Sequence, residues 1–311
     1  MRAWLLRGAA AARLAADNGE LWVPGAVAWL PFAGWLPFWL AVVPFPDQGD
    51  LVFFGADLVT SGAWPLNAIL LGTVLAGLAL LASLLAGLGE AALLRLTRSL
   101  TGGGQSRHSL PAEAARIVAV RLVAIVPAVV AAGLLLVGVA GVAPAEFQSP
   151  DIGGSVYARI AGRLAPFAVA LLLTAIVGGA FGAVAMRRAV GPRAVPLPEA
   201  LAAAGRSLAR QPLRLTGVAV ATLVLTTGYL VMAYLLLRVL WAPIGAALAA
   251  GRPAEAGTPL LLVGFMAIWL SLILGGGALH ATASAWWSLE IAAGEGRPDE
   301  PSPAREDPEP A

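Results

Sequence analysis

Residues 215–237 read LTGVAVATLVLTTGYLVMAYLLL, an unbroken apolar run without Asp, Glu, Lys, Arg or His. A spanning helix needs about 20 largely apolar residues. Five further stretches match this one: 21–44, 65–88, 122–144, 164–186 and 260–279. None of the six holds a charged residue or a histidine. In lipid the backbone must satisfy its own hydrogen bonds, so runs of this length are helices. The alternation of a β-barrel strand is absent. The expected fold is all-α: a polytopic membrane bundle of six transmembrane helices over residues 1–293.

Composition agrees. Of 311 residues, 59% are hydrophobic and 12% charged, and the mean hydropathy is +0.82. A soluble domain carries roughly 45–50% apolar and about 25% charged residues. The net charge of +2 is too small to suggest a nucleic-acid partner. There is no Cys, which excludes disulfides, thiol catalysis and Cys-ligated metals. With His108 and His280 the only histidines, no cofactor is expected. The N-terminal residues are not expected to act as a signal peptide, because Arg7 and Arg13 interrupt any apolar core before Leu21. Residues 294–311, rich in Pro and acids, read as a disordered tail.

All 20 basic residues are Arg, and 16 fall on one side of the six stretches. The positive-inside rule then puts both termini in the cytoplasm of a bacterial inner membrane. The loop 45–64, with Asp47, Asp50 and Asp57, lies outside. Trp39, Trp64 and Trp241 fall at the outer interface, and Trp22, Trp286 and Trp287 at the inner one.

Each pair of spans follows an Ala/Leu/Arg segment: 3–16, 110–121 and 197–210. These read as short cytoplasmic interfacial helices, giving three units of helix plus hairpin. In the third segment and just beyond it, Arg206, Arg210 and Arg214 are spaced by four and share a face on a continuous helix. At headgroup level they would bind anionic membrane lipids. Pro212 between the last two breaks or kinks that helix.

The first stretch is unusual. WLPF occurs at 29–32 and again at 35–38, and Pro24, Pro31 and Pro37 each remove a backbone donor. Such helices kink against neighbours or line a cavity. At 1.5 Å per residue, Thr174, Thr226 and Ser271 lie about 15 Å deep, near the middle of the bilayer. Thr222, Thr226 and Tyr229 follow i, i+4, i+7. Thr174, Thr226, Tyr229 and Ser271 are therefore the candidate substrate-binding residues; the alternative is pairing with the helix's own carbonyls. Glu90 and His280 lie at span ends and read as solvated interface residues. Without acids in the apolar runs, a transporter driven through buried carboxylates is disfavoured.

Residues 196–217, PLPEALAAAGRSLARQPLRLTG, resemble an element of the membrane domain found beside bacterial glycerophosphodiester phosphodiesterases. The resemblance carries no catalytic residues and implies no phosphodiesterase activity. In architecture, a cytoplasmic elbow before six spans resembles the permease subunits of ABC-2 type exporters. That likeness implies docking of an ATPase or another membrane protein, with 99–115 as the docking loop. No HExxH or P-loop is present, and no nucleophile–base pair is visible, so an enzyme is not expected. The sequence points to a permease-like bundle for a lipidic or amphipathic cargo, or to an accessory subunit of a membrane complex. Tags at residues 49 and 104 are expected to report opposite sides of the membrane in a protease-protection assay; the same side for both overturns this topology.

Overall fold

The computed structural model describes residues 2–43, 65–102, 104, 106, 108–148, 155–251 and 257–294. The loop 45–64, the tail from 295 and Arg107, Arg252, Arg297 and Arg305 lie outside them. All regular structure among the described residues is helical. In order these are α1 (Arg2–Asp17), a 3-10 turn (Gly19–Leu21), α2 (Trp22–Trp29), a π turn (Leu30–Gly34) and α3 (Leu36–Val42). There follow α4 (Leu66–Leu100), α5 (Leu110–Gln148), α6 (Val156–Ala189), α7 (Leu197–Arg210), α8 (Pro212–Ala249) and α9 (Gly257–Gly294). Five of them, α4, α5, α6, α8 and α9, are long and apolar enough to cross a membrane. The chain is an all-α, multi-pass integral membrane protein.

The first apolar stretch is not one helix. It is divided among α2, the π turn and α3, with a bend at Trp35. Pro31 lies inside the π turn and Pro37 in the first turn of α3, where a missing N–H is tolerated. Carbonyls near the break find side-chain donors on other helices. Trp269 Nε1 donates to the Gly34 carbonyl at 3.3 Å, and Arg238 Nη1 to the Ala41 carbonyl at 3.1 Å.

Two of the three expected interfacial helices are separate elements, α1 and α7. The third, 110–121, runs directly into the following span as the 39-residue α5. No Gly or Pro interrupts it between Pro111, in its first turn, and Pro127. At 197–210 the break falls where Pro212 puts it: α7 ends at Arg210, Gln211 leaves helical geometry (φ −135°, ψ 52°), and Pro212 opens α8.

The spanning helices hold 34 to 39 residues, a length of roughly 50–60 Å. A hydrocarbon core is about 30 Å thick. The excess extends α4, α5 and α9 at the Arg-rich end, and α6 and α8 at the opposite one. At the Arg-rich end one core gathers Leu94, Ile117, Val120, Val184, Val218, Ala285 and Trp286. A second core nearer the opposite end joins Ala41, Leu237, Ile244, Phe265 and Trp269. Trp286 and Trp287 are 6% and 7% exposed, and Trp286 packs on Trp4 with ring centroids 4.9 Å apart. These two are packing residues of the core at the Arg-rich end, not the lipid-facing anchors expected. Trp39 is exposed. Trp64 lies outside the described residues.

The helices close a circuit. Neighbours in the chain pack side by side from α2 to α4, α5, α6, α8 and α9, and α9 returns to α2. α1 lies on α9, and α7 on α6. Glycine makes the closures. A Cβ on Gly277 would meet Ala26 N and Trp22 O at 2.5 Å, and one on Gly25 would strike the Gly277 carbonyl. On its other side α2 meets Gly89, where a Cβ would stand 2.5 Å from Ala28 N. Gly178 holds the same place between α6 and α5, with Ala124 O at 2.5 Å. Without side chains between them, backbones approach to dispersion contact, which drives helix association in lipid.

Gly277→Ala is expected to lower the melting temperature in detergent, since overpacking a close contact costs about 1–3 kcal/mol. Gly133→Ala, which meets nothing within 4 Å, is expected to leave it unchanged or raise it slightly. Equal behaviour of the two variants contradicts the closure.

Candidate functional site

Where α4, α5, α6, α8 and α9 converge near the Arg-rich end, they enclose a cavity of about 290 Å³. Its polar floor is built by Glu90 of α4, Arg121 of α5, Arg187 of α6, and His280 and Ser284 of α9. Its walls include Ala175, Ile176, Gly179, Leu223, Thr222 and Thr226. Ala175, Gly179 and Leu223 are themselves exposed, so the cavity opens sideways between α6 and α8.

Glu90 is the centre of the floor and is 2% exposed. One carboxylate oxygen, Oε2, lies 2.7 Å from His280 Nε2 and accepts from Arg121 Nη2 at 3.2 Å. The other, Oε1, accepts from Ser284 Oγ at 3.0 Å. Arg187 fixes the α9 side. Its Nη2 donates to the Ser284 carbonyl at 2.6 Å and to Ser284 Oγ at 3.0 Å, and its Nε to Ser288 Oγ at 3.0 Å. A carboxylate in low dielectric is stable only with such partners. Two guanidiniums and an imidazole stand against one carboxylate, so the floor is net positive. It can receive an anion, and the Glu90–His280 pair can hold or pass a proton.

Glu90 and His280 were expected as solvated groups. The structure joins them across a sequence separation of 190 residues, with Glu90 buried. The apolar runs themselves hold no acid, but Glu90 is not the sole buried one beside them. Besides Glu90, Glu113, Glu146 and Glu290 are buried at span ends. Glu113 pairs with Arg95 at 2.7 Å, and Glu290 with Arg7 and Arg214, both at 2.6 Å. At the opposite end Glu146 pairs with Arg159 and Arg163, both at 2.8 Å. The hydrogen bond from Arg159 holds the Glu146 carboxyl below the ordinary carboxylate range.

The four expected substrate-binding residues are not brought together. Thr226 alone of them lines the cavity. Thr174 Oγ1 donates to the Ala170 carbonyl at 2.8 Å, one turn back on its own helix, and borders a separate apolar groove between α5 and α6. Ser271 is exposed on the outer surface and bonds back to Ala267 O at 2.9 Å. Tyr229 donates its hydroxyl to the Leu272 carbonyl at 2.5 Å, tying α8 to α9. The Arg stripe is divided by the break at Gln211. Arg206 and Arg210 are exposed on α7, whereas Arg214 begins α8 and is engaged by Glu290.

A signal for the cavity floor did exist in the sequence. Glu90, Arg121, Arg187 and His280 each stand within two residues of the same end of an apolar run. Equal distance from that edge places them at one depth. Comparison with known proteins adds nothing to this geometry: no family model, no curated protein and no solved structure matches the chain. Among the described residues no group of His, Asp and Glu is arranged to hold a metal ion.

In a double-mutant cycle on unfolding in detergent, Glu90→Gln and His280→Gln are expected to be coupled by about 0.5–3 kcal/mol, as residues sharing one network are. Additive losses would show that the two do not act as a pair.

Proposed function

We propose that the chain is a six-crossing protein of the bacterial cytoplasmic membrane with both termini inside. It is a transport-type bundle that handles an amphipathic cargo with an anionic head, and it catalyses no reaction. The broken segment α2–α3 supplies the sixth crossing. The abundance of Arg at the end shared by α1, the α4–α5 connection and the α6–α7 connection supports the orientation.

One observation carries the reading of cargo: the cavity pairs a net-positive floor with a lateral mouth walled by Ala175, Ile176 and Leu223. A lipid whose head seats against Arg121 would keep its acyl chains in the bilayer, between α6 and α8. Its volume of about 290 Å³ suits a headgroup and not a whole lipid. The Glu90–His280 pair supplies a proton site beside that head.

A second reading is an accessory subunit, bound to an ATPase or other membrane protein. It is favoured by α4, in which every residue from 71 to 80 is exposed. A helix apolar all round is a lipid or partner surface.

Proteoliposomes separate the two. Fluorescent phosphatidylglycerol is expected to cross between leaflets faster with the protein than in empty vesicles, and faster than phosphatidylcholine. Arg121→Gln is expected to slow it by roughly ten-fold, the loss of about one charge-assisted hydrogen bond. No acceleration by the wild-type protein overturns the transport reading. A stoichiometric protein partner after mild extraction then establishes the accessory one.

A further inference from the structure

At the Arg-rich end lies a second pocket of about 410 Å³. It is framed by Arg188 from the last turn of α6, Arg193 from the α6–α7 turn, and Arg210 at the end of α7. Ser207 and Gln211 also line it. We propose that this pocket is a binding site for a phosphate group, with Arg193 and Arg210 as its two rim cations.

The three guanidiniums come from three different elements, and neither Arg193 nor Arg210 is paired with a carboxylate at salt-bridge distance among the described residues. One acid does line the pocket, Glu290. Its oxygens are already held by Arg7 and Arg214, both at 2.6 Å, so its charge is met before any ligand arrives. The start of α8 adds to the attraction. Gln211 occupies its N-cap position with no side-chain cap, and the first-turn amides and helix dipole favour an anion there.

The turn that carries Arg193 is built in place. Gly191 has φ +111°, a conformation side chains rarely adopt, and a Cβ there would strike the Arg98 guanidinium at 2.9 Å. Arg98 Nη2 donates to the Val190 carbonyl at 3.2 Å, and Val195 N closes the turn onto the Arg188 carbonyl at 3.1 Å. Arg193 and Arg210 remain exposed. Arginine forks match phosphate oxygens in geometry, and a preset frame lowers the ordering cost of binding. Arg206 provides the contrast, being exposed on the same α7 but not part of the pocket.

The phosphate can be that of a lipid headgroup or of a free anion, and two arms separate these. In the first, inorganic phosphate is added to full-length protein in neutral detergent, and the thermal shift is compared with chloride at equal ionic strength. In the second, protein is extracted from phosphatidylcholine vesicles containing a minor share of phosphatidylglycerol, and retained lipid is read by native mass spectrometry. Binding is expected in at least one arm, and the pair Arg193→Gln with Arg210→Gln is expected to weaken it by roughly ten-fold or more. Arg206→Gln is expected to leave it unchanged. Both arginines of the pair are exposed, so the melting temperature without ligand should hold. A phosphate shift assigns a free anion; retention of phosphatidylglycerol alone assigns a headgroup. No binding in either arm, or an equal loss with Arg206→Gln, overturns the site. The lateral cavity takes no part in this test, so a failed transport assay leaves its result intact.

Discussion

The seating of α2 between α9 and α4 is the contact on which the rest of the bundle depends. It has glycine on both flanks, Gly277 against Gly25 and Gly89 against Ala28. Water drives folding in a soluble protein, but it offers no such force between helices inside a bilayer. What remains is close packing, and packing at this range excludes even one methyl group. Seating α2 so deeply joins the first described span segment to the last. It sets α4 and α9 side by side through a shared neighbour, and this brings Glu90 of one to His280 of the other. The Pro-driven break follows that seating. α3 packs along α8 while Phe38 still meets Trp269 of α9, and Trp269 and Arg238 take up carbonyls along the broken path.

Charge is distributed by the same logic of depth. The apolar runs carry none, and the acids gather where those runs end, each against arginine. Burying a carboxylate and a guanidinium together is weak evidence of stability, because desolvation consumes much of the attraction. Their value here is geometric. Glu290 links α1, α8 and α9; Glu113 links α5 to α4; Glu90 links α4, α5 and α9. Of these three, Glu90 lines the cavity that opens sideways between α6 and α8, and that position distinguishes a candidate site from a structural clamp.

Hydropathy alone made the five long helices legible, since a run such as 215–237 has no other stable form in lipid. The end of α7 was equally legible, because Pro212 cannot continue a helix. The broken first span followed from its three prolines, although the π turn that absorbs Pro31 has no sequence signature. The continuity of α5 through 110–121 was not visible. A polar amphipathic turn and a spanning helix look like two elements until Glu113 is seen buried against Arg95. The site was the least legible part. Hydroxyls at mid-depth drew attention to Thr174 and Ser271, but a hydroxyl on a helix is readily satisfied one turn back, as both are. Glu90 and His280 looked solvated because each follows an apolar run. Only the packing of α4 on α9 across the small residues shows that they face one another.

The closure between the ends of the chain also bears on how the protein is made. Arg7 and Glu290 are 283 residues apart. At about 5–20 residues per second, roughly a quarter of a minute to a full minute separates their synthesis. Throughout that interval the glycine-bearing side of α2 sits in the membrane without its partner on α9. A nascent chain in that state has one small-residue surface available to any other helix it meets. Assembly therefore ends, and is committed, with the arrival of α9.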